Sequence, residues 1–141
     1  MAMLNTIFVV HTTKNVPNAG TNADFALEIE RVTGVDGRGR PVVNRIPLPF
    51  PDLPHDERER GRTDSYRFPV SRHRIGSDRS FEIYMHMLNT EDGWLPESIF
   101  VIGIGPGFGH VVLGSHQSWS GWFDRNDRNS LSRHLIGGWN P

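Results

Sequence analysis

The sequence predicts an all-β fold, an antiparallel β-sandwich of about eight strands, and three observations carry that expectation. Fifteen glycines and ten prolines are scattered through the 141 residues and cut them into segments too short for long helices. Apolar and polar residues alternate with a period of two in two places. Phe25, Leu27 and Ile29 alternate with Asp24, Glu28 and Glu30; Phe81, Ile83, Met85 and Met87 alternate with Glu82, Tyr84 and His86. Turn signals such as Asp36-Gly37 and Asp92-Gly93 separate such runs at short intervals. A chain of this size buries about two-thirds of its unfolded surface, so one domain over 1–141 suffices, with 124–141 as a tail.

Taken in order, Asn5 to Thr13 is apolar and β-branched and gives the first strand. A small polar loop from Lys14 to Asn22 leads into the alternating strand at Phe25. Val35 to Arg40 forms a hairpin tip, and prolines at 41 and 47 make the returning segment, Pro41 to Leu48, an edge strand. Pro49 to Arg62 is a loop whose mixed charges at 56–60 cancel over a Debye length of roughly 8 to 10 Å, the pattern of a solvated surface. Tyr66, Phe68 and Val70 share the face of the next strand, and a linker over 71–78 precedes the strand at Phe81. In Asp92 to Ile102 a turn, Trp94 and Pro96 come before an apolar run, so pairing is expected to start at Ser98. Trp94 then either caps the end of the core or stands exposed as a contact residue. Gly103 to Gly109 reads as a glycine-rich tip; without a following Gly-Lys-Ser/Thr it is not a phosphate loop. Val111 to Leu113 returns as a strand. A last strand is expected to end near Phe123, followed by a short helical or irregular tail.

Fifteen basic and sixteen acidic residues leave a formal charge of -1, which argues against a general nucleic-acid binder. There are no cysteines, so disulfides, thiolate metal sites and a Cys nucleophile are excluded. The N-terminus lacks a basic n-region and the apolar run Ile7–Val10 is too short for a signal or a span, so the chain reads as soluble. Its compartment is undetermined. The seven histidines form no His-Glu-x-x-His or His-x-His pair, and there is no Gly-x-Ser-x-Gly. An enzyme would have to use distant residues such as His86, His110 and His116, which makes catalysis the weaker class. Calcium suits the composition better, because it takes oxygen ligands from flexible loops. The loops 18–22, 52–57 and 89–93 supply such groups, although Asn, Asp and Gly also populate turns for backbone reasons alone.

Three blocks stand in a telling order: Ala19-Gly20-Thr21-Asn22-Ala23-Asp24-Phe25, then Glu59-Arg60-Gly61-Arg62-Thr63-Asp64-Ser65-Tyr66-Arg67-Phe68, then Gly93-Trp94-Leu95-Pro96-Glu97-Ser98-Ile99-Phe100-Val101. In these the chain resembles PLAT (LH2) domains, and the resemblance reaches from Asn5 to about Val112. It implies an eight-stranded antiparallel sandwich and a non-catalytic module. Such modules accompany lipoxygenases, lipases, bacterial phospholipases C and polycystins, where they contact membranes, lipids or protein partners, some with calcium in loops at one end. Carried over by motif, one calcium site would use the Asn18 side chain, the Gly20 carbonyl, Asp92 and the Gly93 carbonyl; a second would use the Thr21 carbonyl with Asp52 and Glu57. Asn18 stands where the pattern has Asp, and Pro51, Pro54 and His55 stand where it has small polar residues. Membrane or partner contact in such modules falls to exposed aromatic tips, for which Trp94, Phe108, Trp119 and Trp122 are the candidates. The alternative from another class is a structural protein that assembles into homo-oligomers through its sandwich edges and aromatic tail.

Overall fold

The computed structural model describes residues 3–17, 19–21, 24–51, 59–88, 93–124 and 133–141. Among them are eight strands: β1 (Thr6–Thr13), β2 (Phe25–Val35), β3 (Pro41–Pro49), β4 (Thr63–Pro69), β5 (Phe81–Met87), β6 (Pro96–Gly105), β7 (Gly109–His116) and β8 (Arg133–Trp139). They form two four-stranded sheets, ordered β4-β1-β6-β7 and β3-β2-β5-β8, with every pairing antiparallel. The expected sandwich is therefore the fold.

Alternation does the packing. Ile7 and Val9 of β1, Leu27 and Ile29 of β2, Ile83 and Met85 of β5, and Ile99 and Val101 of β6 turn inward and have no exposed surface, while Glu28, Glu30 and Tyr84 face outward and are only half-buried. Because each strand reverses the last, the connections sort by parity. Those after β1, β3, β5 and β7 gather at one end; those after β2, β4 and β6 gather at the other, with Met3 bridged to Gly76 and Trp139 paired with Phe81.

Three sequence expectations are corrected. β6 starts at Pro96, which pairs with Thr13 across an irregularity between Thr12 and Thr13, so the ladder tolerates the missing N–H. Gly103 and Gly105 belong to β6 and not to the tip. A Cβ on Gly103 would lie 2.8 Å from Leu113 Cδ1, and one on Gly105 would overlap the Met3 carbonyl, so these are positions of close approach. The segment after Phe123 is no irregular tail throughout, because β8 completes the second sheet against β5. Its entry is held by Arg133, whose Nη2 donates to Glu28 and Glu30 carboxylates at 2.6 Å each while the guanidinium lies 3.5 Å above the Tyr84 ring. Burial pushes the Tyr84 hydroxyl up, helped by the Glu82 and Glu30 charges and opposed by Arg133.

The two sheets meet along β7 and β8. A Cβ on Gly114 would overlap the Ile136 carbonyl oxygen, and one on Gly137 would overlap that of Leu113, so the backbones touch where both strands lack side chains. His116 Nε2 lies 2.8 Å from the same Ile136 oxygen; a carbonyl only accepts, so this nitrogen carries the proton.

Candidate functional site

The end where the odd-numbered connections gather is built around Trp94. Its ring has no exposed surface and contacts Phe25, Phe123 and His11 at centroid distances of 5.1, 5.4 and 4.9 Å. The indole N–H donates to Thr13 Oγ1 at 2.9 Å, which satisfies its one polar atom inside the core. Its backbone then ties three loops together. Leu95 N–H donates to the Ala19 carbonyl and Lys14 N–H to the Leu95 carbonyl, both at 3.0 Å, while Trp94 and Phe123 exchange two bonds of 2.9 Å. The fourth loop joins through Gly61 N–H to the Thr13 carbonyl at 3.1 Å and Arg60 Nε to Asn15 Oδ1 at 3.0 Å.

The Ala19–Leu95 bond brings Gly20 and Gly93 into adjacent segments, and Thr21, which follows Gly20, is buried. Asn18, Asp52, Glu57 and Asp92 lie outside the described residues. Asp124, which the sequence reading missed, stands over Gly93: one carboxylate oxygen is 3.2 Å from where a Gly93 Cβ would be, and the Trp122 ring is 3.3 Å from the same point. Its signal was only a polar residue after an aromatic run, at the start of the stretch expected to be a short helical or irregular tail. The oxygen donors here, backbone carbonyls and a carboxylate, are of the hard type that suits calcium. Among the described residues, no three His, Asp or Glu side chains are grouped to hold a metal ion.

The four aromatic contact candidates divide. Trp94 is core and caps it, which corrects its reading as an exposed contact. Phe108 is corrected likewise; it is buried at the opposite end against Trp139, ring centroids 4.9 Å apart. Trp119 is half-buried between His116 and His134, and its N–H is held to no acceptor among the described residues. Trp122 is half-buried too, with its carbonyl accepting from His134 Nε2 at 3.0 Å. Among the described residues at this end, the exposed large apolar side chains are Val16 and Leu88, which the sequence reading passed over. The histidines weighed for catalysis are not brought together: His86 is on the outer face of β5, His116 at the β7–β8 seam, and His110 at the far end.

No family model and no curated protein matches the chain. Solved structures do. Alpha toxin from Clostridium absonum matches with a TM-score of 0.63 and 20% identity, and alpha-toxin of Clostridium perfringens from avian strain SWCP with 0.62 and 18%. In each case 95% of this chain is covered but only 31% of the toxin chain, so it spans under a third of their length. At such identity the likeness is one of fold.

Proposed function

We propose, starting from the PLAT-like sandwich that the chain shares with part of two clostridial alpha-toxins, that this is a non-catalytic binding module whose loop-bearing end docks on a lipid surface with the help of calcium. The observation that supports this best is the convergence of three loops on the Trp94–Leu95 strut, with a fourth bonded to Thr13 and Asn15 beside it. It sets the Gly20 and Gly93 segments side by side and leaves Val16 and Leu88 exposed, with Trp122 half-exposed, at the same end. Oxygen-rich loops rimmed by apolar side chains suit an anionic, partly apolar surface, which calcium bridges to the loop carboxylates. The ligands in this reading are Asn18, Gly20, Asp92 and Gly93 for one ion and Thr21, Asp52 and Glu57 for another. Asp124 adds a carboxylate beside Gly93.

Liposome flotation on neutral and anionic vesicles, with calcium and then with chelator, tests it. The expected result is calcium-dependent flotation on anionic vesicles that Asp92→Ala abolishes and Trp122→Ser weakens. Protein that stays at the bottom of every gradient while remaining folded sinks the lipid reading and leaves a protein partner in its place.

A further inference from the structure

We infer that the opposite end of the molecule carries a separate site for a phosphate-class anion, in the cavity between the outer part of β2 and the β4–β5 connection. The cavity holds about 340 Å3, and Arg31, Arg74 and Arg79 line it together with Thr33 and Ser80. That volume lies at the small end of the roughly 300 to 1,000 Å3 typical of small-molecule sites. One carboxylate, Asp78, lines it as well. Among the described residues none of the three arginines forms an ion pair with a carboxylate.

Arg31 is positioned without being neutralised. Its Nη1 donates to the Arg74 carbonyl and its Nη2 to the His73 carbonyl, each at 3.1 Å, and its Nε to Asn44 Oδ1 at 3.2 Å. All three acceptors are uncharged, so the guanidinium is fixed in direction while its positive charge stays available. A planar guanidinium held this way matches the oxygens of a phosphate.

A second observation comes from the backbone. Arg74 is, among the described residues, the one non-glycine residue with positive φ, at 54°. Glycine adopts that conformation freely and an arginine does not. The contribution of position 74 to the fold is through backbone atoms: its N–H donates to the Ser71 carbonyl and its carbonyl accepts from Arg31. The turn would form more readily with glycine, yet a cationic side chain stands there. A third observation agrees: burial, with the charges of Arg72 and Arg31, holds the His73 ring below its ordinary proton affinity, as expected where positive charge is left uncancelled.

A wider concavity shares Arg31, Val32 and Arg79 with this one, among others, and runs over the outer face of the second sheet past Glu30 and Glu82 to Val43 and Leu135. Both a free phosphate and one borne on a lipid therefore meet the same guanidinium groups, the second with its apolar part over Val43 and Leu135.

The test uses the full chain in chelator, so that calcium plays no part. Inorganic phosphate is titrated while the amide resonances of residues 73–80 are followed by NMR. Flotation is measured on phosphatidylcholine vesicles with and without phosphatidic acid. Saturable shifts with inorganic phosphate and no vesicle preference assign the free anion; flotation that requires phosphatidic acid assigns the lipid-borne one. In either case Arg79→Ala and Arg74→Gly are expected to weaken the response about tenfold. Arg74→Gly should do so with an unchanged or higher Tm. No saturable response to either probe, or a response that both variants leave intact, overturns the site. Arg79→Ala, whose side chain is exposed and makes no ion pair among the described residues, keeps the test valid if Arg74→Gly disturbs the turn.

Discussion

Trp94 joins the largest fully buried side chain of the core to a single polar atom that must find a partner there, and Thr13 supplies it. Trp94→Ala should cost about 3 to 5 kcal/mol, a fall of roughly 10 to 20 °C in Tm by calorimetry. Thr13→Val should cost less, about 1 to 3 kcal/mol, because it keeps the volume and orphans only the indole N–H. At His73 the folded state binds a proton less readily than the unfolded one, since burial and then Arg72 and Arg31 disfavour the charged ring. A group depressed in this way makes stability present above its ordinary value near 6.5 and lost as pH falls below it. Arg72→Ala should raise the His73 pKa, which a ring-proton NMR titration reads directly; an unchanged midpoint would remove the charge argument.

Between elements, the β7–β8 seam depends on two missing side chains. Gly114→Ala forces a methyl into the Ile136 carbonyl, which is backbone and cannot rotate away, so a loss on the order of 3 kcal/mol is expected in urea denaturation. Gly34→Ala is the control: nothing lies within 4 Å of its added carbon, and the change should be neutral or slightly stabilising. The same seam explains what the sequence concealed. β2 and β5 were legible because one face of each is wet, which writes a period of two into the residues. In β8, Leu135 is exposed, Ile136 buried, and Gly137 and Gly138 follow. Backbone contact selects those glycines, and no hydrophobic period remains to read. Gly103 and Gly105 misled for the same reason. Close approach and turning both call for glycine, and only the neighbouring strand tells them apart.

At the scale of the whole molecule the sandwich has two unlike ends, and the two binding proposals fall one on each. They should be separable: Asp92→Ala ought to leave the phosphate response intact, and Arg79→Ala ought to leave calcium-dependent flotation intact. The loop-bearing end was partly legible, because its turn residues are oxygen-rich and the sequence assigned Gly20 and Gly93 to one end, where the Ala19–Leu95 bond sets their segments side by side. The arginine-lined end was not. Arg31 lies on β2, Arg74 and Arg79 on the β4–β5 connection, and only folding brings the first within reach of the others. Arg31 falls at the same parity as Phe25, Leu27 and Ile29, just where the alternation breaks, and nothing in the sequence tells what it meets there.

An even number of reversing strands has a mechanical consequence. The start of β1 and the end of β8 lie at the same pole, in different sheets. Tension applied between them pulls across the strands and not along them, so the β5–β8 ladder is loaded at its Phe81–Trp139 end and opens one rung at a time. A sandwich strung by opposite poles would have to break a whole ladder in shear at once. This one should yield at low force from the pole that holds Phe81 and Trp139, while the bonds that Trp94 and Leu95 make at the opposite pole open last.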